Sequence, residues 1–311
     1  MPSFRRDDAS RGRPAAAPRL SSALTLHFTR EDRGTEPDDM WAYKRHWNFL
    51  SGRELDHGWL ESAPAVSYHD MAGAVGRALG PEALAEVDLI VFAMTVADCR
   101  HASMAGALLA GMTDNDAHVL GVSEQGVAAP FTALRIATGQ LASGARRRAL
   151  VVVAEQSTLP PCPVAGTRPA RDAAVALVLD AGPGPGARVG TPQLTVDRGG
   201  AADPAAGGVP AAPPAEPGAP VRTVVAGPGL AGLAPADGVR LLTAAPGLPG
   251  AGAWVTLVDH LAGGEADGDV LLADRDPQLP YHCAVRLTGV PATTPTVPPA
   301  TAGRPAKELI P

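Results

Sequence analysis

The residues in this chain best placed to do chemistry lie at one turn, Gly121-Val-Ser-Glu-Gln-Gly-Val127-Ala-Ala-Pro-Phe-Thr-Ala-Leu-Arg-Ile-Ala137. An apolar strand precedes the turn and a helix follows it. Such an elbow exposes a side chain at a helix N-terminus, where free N–H groups and the dipole favour an anion. A cysteine there would have a lowered pKa and act as a nucleophile. The residue at the start of this helix is Val127, which can form no covalent intermediate. Ser123 offers a hydroxyl nearby but needs a base, and no neighbouring histidine supplies one. Glu124 and Gln125 either cap the helix or, with a two-residue slip, place Gln125 at the nucleophile position.

Other reactive side chains are scattered. Asp98-Cys99-Arg100-His101 follows a strand and offers a thiol beside an imidazole. Residues so close in a loop seldom align as nucleophile and base, so a buried or interface cysteine is the competing reading. Cys162 sits in the stiff loop Pro160-Pro-Cys-Pro163. His282 and Cys283 are neighbours on a strand, so they face opposite sides and cannot chelate together. No metal site is expected. Gly227-Pro-Gly229 lacks the lysine and helix cap of a phosphate loop. Arg146 to Arg148 reads as a solvated helix end or as an attraction for an acidic carrier protein.

The elements that must position these residues form an α/β pattern. Continuous apolar strands are expected at 88–95, 149–155 and 173–179, the type buried on both faces. A further strand is expected at 117–122, and helices at 69–79, 103–109 and 127–143. Residues 21–65 are harder to read: 24–28 alternates as a strand, and the aromatics from Trp41 to Phe49 suggest a packed segment. Residues 221–226, 240–243, 269–273 and 282–287 read as strands, and 253–261 as a helix. Strands alternating with helices imply a mostly parallel sheet. The division expected is a disordered N-terminus (1–20), a first half (21–180), a Pro/Gly/Ala-rich linker (181–220), a reduced second half (221–290) and a disordered tail (291–311).

Composition excludes several function classes. The 311 residues carry a net charge of −6, so no basic field draws in nucleic acid. No apolar run reaches the roughly 18 residues of a membrane span. The polar N-terminus lacks a signal-peptide core. Three cysteines, an odd and scattered set, fit a reducing compartment, and a cytoplasmic location is expected.

The stretch from about Asp70 to Leu179 resembles the β-ketoacyl-carrier-protein synthase III branch of the thiolase-like condensing enzymes. The features that carry this are the strand 88–95 with its following Ala97-Asp98, the elbow and helix 127–137, and the strand 149–155 followed by Arg171-Asp-Ala-Ala-Val-Ala-Leu-Val-Leu179. The resemblance implies a thiolase-like fold of two stacked α/β halves, the second reduced, and no cofactor. By element order, the family's nucleophilic cysteine falls at Val127 and its histidine at Gly227. Its asparagine falls at Leu248, and its glycine loop, which supplies an oxyanion N–H, at Asp276-Pro277-Gln278. Proline has no N–H to donate. The resemblance therefore implies a catalytically degenerate ketosynthase-like protein, a partner resembling a chain-length factor for an active synthase in bacterial polyketide or fatty-acid-type biosynthesis. The alternatives are an acyltransferase using Ser123 or Cys99, and a stand-alone acyl-binding or regulatory protein. Homo- or heterodimer formation is expected through the strand 149–155, with acyl carrier protein as a possible further partner.

Overall fold

A computed structural model describes residues 17–34, 37–100, 104–161, 168–196, 220–234, 237–244, 246–264 and 268–290. Its first half is a five-stranded mixed sheet. β1 (Arg19–Phe28), β2 (Leu89–Met94), β3 (His118–Val122), β4 (Arg148–Glu155) and β5 (Asp172–Asp180) lie in the order β3-β2-β4-β5-β1. β2 runs parallel to both β3 and β4, whereas β5 is antiparallel to β4 and β1.

The apolar runs of β2, β4 and β5 are buried on both faces, as continuous runs require. Ala149, Val151 and Val153 point to one core, and Leu150, Val152 and Ala154 to another. The second core is covered by α3 (Tyr68–Leu84) and α4 (Ala105–Ala110). Ser67 caps α3 by accepting the Asp70 N–H at 3.1 Å. Gly80, at φ 74° and ψ 168°, breaks that helix ahead of Pro81, so the stop expected there is a kink within α3.

The second half holds β8 (Val221–Ala226), β9 (Arg240–Thr243), β10 (Gly268–Arg275) and β11 (Tyr281–Val290), with β8 parallel to β9 and β10. All the described strands belong to one 11-stranded sheet, and α5 (Ala128–Ala142) and α6 (Gly252–Ala262) lie between its two halves, in one core that draws on both. There Phe131 of α5 meets Trp254 of α6 edge-to-face, with ring centroids 4.9 Å apart. Among the described residues no α-helix covers the outer face of the second half. A 3-10 turn at Pro228–Leu230 packs a small cluster around Leu230, Val224 and Leu271 instead. The second half is reduced.

Three expectations need correction. β4 is not an edge: β2 and β5 pair with it on both sides, so it has no free side to offer a dimer partner. The free edge of that sheet is β3. The stretch 181–220 is not linker throughout, because it contains β6 (Ala187–Val189) and β7 (Gln193–Val196). β6 pairs with β1 on one side and β11 on the other, and β7 pairs with β11. Residues 197–219 and the tail 291–311 lie outside the described residues, as do 1–16, but β1 already begins at Arg19, inside the stretch expected to be disordered. The Arg19 side chain is buried, and its guanidinium donates to the carbonyls of Gly182, Pro183 and Pro185.

The region that was hard to read forms α1 (Pro37–Ser51) and α2 (Gly58–Ser62) around a small core of their own. The Tyr43 hydroxyl ties α1 to the carbonyl of Thr158 at 3.2 Å, just beyond β4.

Candidate functional site

The elbow sits where β3 hands over to α5. Glu124 (φ 59°) and Gly126 (φ 53°) both take left-handed backbone to make the turn. Val127 follows as the N-cap of α5, buried, with no side-chain cap of its own. Its N–H is one of the donors a helix start leaves without an intrahelical partner. That N–H donates to Oδ2 of Asp276, from the β10–β11 turn, at 2.9 Å.

Asp276 is held for this contact by its own turn, since Oδ1 accepts the N–H groups of Gln278 at 2.9 Å and Leu279 at 2.7 Å. Pro277, the position aligned with the family's glycine loop, is exposed. Its neighbour Asp276 is the residue that reaches the elbow.

Gly227 ends β8, where the resemblance places a histidine. A Cβ there would lie 1.9 Å from Cγ of Asp274, so the volume of a side chain at 227 is taken by that carboxylate. Asp274 is buried, and its Oδ1 accepts the N–H groups of Arg275 at 2.8 Å and Gly229 at 3.2 Å. Burial raises its pKa to about 7, against the lowering effect of these bonds, and the charges of Asp276 and Glu155 push the same way as burial.

Glu155 closes the constellation. It ends β4, is wholly buried, and accepts the N–H groups of Gly250 at 2.9 Å and Ala251 at 2.8 Å, just ahead of α6. Burial lifts its pKa to about 7 as well, with those two N–H bonds opposing. Leu248, the position aligned with the family's asparagine, is buried in the central core two residues before Gly250.

The elements thus bring Val127, Gly227 and the loop of Leu248 around three buried carboxylates, Glu155, Asp274 and Asp276. Glu155 and Asp274 were missed from the sequence, and Asp276 was noted only as part of the loop. The available signal was a charged residue ending an apolar strand in β4 and an Asp-x-Asp pair ending β10. Among the described residues, no three His, Cys, Asp or Glu side chains are grouped so as to hold a metal ion.

The substitute nucleophiles do not join this constellation. Ser123 and Glu124 are exposed on the turn. Gln125 accepts a 2.6 Å bond from the Thr132 hydroxyl, so it braces the second turn of α5 and does not cap it. Cys99 belongs to the α1–α2 core, fully buried, with its thiol 3.7 Å from the carbonyl of Ala65. His101 and Cys162 lie outside the described residues. Cys283 is buried on β11 opposite Asp274, and burial, reinforced by the charges of Asp274 and Asp276, pushes its thiol up to about 12.

Arg146–Arg148 stand at the far end of β4 from Glu155, roughly 23 Å away at the rise of a strand. Arg148 is paired with Asp180 at 2.7 Å, and Arg146 bonds the carbonyl of Asp88. A carrier protein docked on them would not face the elbow.

No protein-family model matches the chain, and no curated protein matches it in sequence. Solved structures do match. A 3-oxoacyl-(acyl carrier protein) synthase III from Xanthomonas oryzae pv. oryzae superposes with a TM-score of 0.57 at 13% identity, over 88% of this chain and 99% of that one. A priming β-ketosynthase from a polyketide biosynthetic pathway gives 0.59 at 16%, over 91% and 99%. The fold is that of the thiolase-like condensing enzymes. OleA of Xanthomonas campestris aligns similarly, at 0.56 and 12% identity, over 88% of this chain and 98% of that one. The chain therefore spans nearly the whole thiolase-like fold. No helix among the described residues is long and apolar enough to cross a membrane.

Proposed function

We propose that this protein is a non-catalytic ketosynthase-like partner of an active β-ketoacyl-carrier-protein synthase in bacterial polyketide or fatty-acid-type biosynthesis, with a role like that of a chain-length factor. The observation that carries this reading is Val127. A buried valine stands at the elbow of a thiolase-like fold, where the acyl-holding nucleophile of such enzymes would be. A structural neighbour described as a priming β-ketosynthase of a polyketide pathway supports the pathway class.

The partner contact in this proposal runs along β3, whose outer side has no neighbour among the described strands. An open edge of this kind presents unpaired N–H and C=O groups, a template for pairing with another chain. Acyl transfer through Cys99 is a weaker reading, because that thiol is enclosed and bonded away from the elbow.

Co-expression with an active β-ketoacyl-carrier-protein synthase from the same organism tests the proposal. The expected result is a co-purifying complex whose product changes in chain length when this subunit is omitted. Failure to co-purify, together with an unchanged product, overturns it.

A further inference from the structure

The site described above is filled as well as stripped. Gly126, Gly227 and Gly229 all face the segment Asp274–Asp276, and none of them has room for a side chain. A Cβ on Gly126 would lie 1.9 Å from Oδ2 of Asp276, and one on Gly229 would lie 1.7 Å from the carbonyl oxygen of Arg275. Gly227 meets Asp274 in the same way. Three positions on two different elements thus yield to one segment.

The N–H of Val127 is the donor an incoming carbonyl or carboxylate oxygen would seek at the elbow. Asp276 Oδ2 already holds it at 2.9 Å, oriented by two bonds to its own turn.

We propose that the end of β10 closes the elbow from within, with Asp276 serving as a tethered carboxylate in the oxygen-binding position of α5 and thereby shutting out an acyl ligand. The closure is an internal contact of one chain and does not rest on the partner reading. It places any acyl chain handled by a complex on the side of the other subunit.

The test is thermal unfolding of the full chain in sodium acetate against sodium chloride of equal ionic strength. Asp276→Ala removes the tethered carboxylate and opens the position to a free one. Its melting temperature is expected to rise by about 2 °C or more in acetate over chloride. The parent protein, whose site is full, is expected to show no difference. Asp276→Asn still fills the volume, but its single oxygen cannot accept at both the elbow and its own turn, so it is expected to melt below the parent and to show no acetate gain. An acetate gain in the parent, or none in Asp276→Ala, overturns the proposal. If Asp276→Ala does not fold, hydrogen exchange of the parent decides: a protected Val127 amide supports the closure, and exchange at an open-loop rate refutes it.

Discussion

A Cβ on Gly227 would fall 1.9 Å from Cγ of Asp274 and within 2.2 Å of both its oxygens. The backbone at Gly227 is extended, at φ −67° and ψ 170°, a conformation open to any residue. Sterics alone therefore exclude a side chain here. Gly227→His is expected to destabilise the protein by about 3 kcal/mol or more, measured by urea unfolding. Adding Asp274→Gly should recover part of the loss. Additive effects of the two substitutions would show that they do not touch.

The same Asp274 sets a pH dependence. An unfolded aspartate titrates near 3.9 and a glutamate near 4.3. In the fold both Asp274 and Glu155 sit at about 7, raised chiefly by burial. Between these values the native state holds protons that the unfolded state has released, so stability falls as pH rises through this window and levels off above about 7. Each group contributes a slope of up to about 1.4 kcal/mol per pH unit. Asn at position 274 can keep both N–H contacts, because the same oxygen of Asp274 accepts them. Asp274→Asn should match the parent near pH 4 and exceed it by about 1 kcal/mol or more at pH 8. Parallel pH–stability curves for the two proteins would refute the assignment.

Restoring the nucleophile alone should restore nothing. Val127→Cys places a thiol at the start of α5, yet its N–H remains bonded to Asp276 and positions 227 and 248 still carry Gly and Leu. No condensation product is expected from acyl and malonyl thioesters. Measurable turnover would show that the second half has been aligned wrongly.

The thiols of Cys99 and Cys283 are both enclosed. Peptide-mapped alkylation should leave both unlabelled in the native protein and label both in denaturant. Incubation with acyl-CoA should add no mass at Ser123 or Cys99, and a stable adduct at either would revive the acyltransferase reading.

How far the sequence could be read depended on element length and on which face was buried. β2, β4, β5 and α5 were legible because long apolar runs and an uninterrupted helical stretch admit few other structures. The strands β6 and β7 were not. At three and four residues among glycines and prolines, they are too short for alternation to register. Val127 and Gly227 were found because each lacks a side chain that a resemblance expects. Asp274 is not legible, and Asp276 is reached only as a neighbour of Pro277, because neither performs chemistry that a motif would encode. Their role is volume and one hydrogen bond, and it emerges only when β10 is laid against the elbow. The choice of β4 as the open edge failed for a related reason: apolarity marks a strand as buried but does not say by which neighbours.

The seam at β6 has a consequence for cooperativity. The ladder joining the two halves of the sheet is two residue pairs wide on each side, Arg19 and Leu20 with Arg188 and Ala187, then Leu287 and Thr288 with Val189 and Arg188. So narrow a backbone bridge cannot by itself make the halves melt together. That coupling falls to the shared helical layer, where Phe131 and Trp254 meet, to Glu155, which holds Gly250 and Ala251, and to Asp276, which reaches from the second half to the N-cap of α5. The carboxylate that closes the elbow is also a rivet between the two halves.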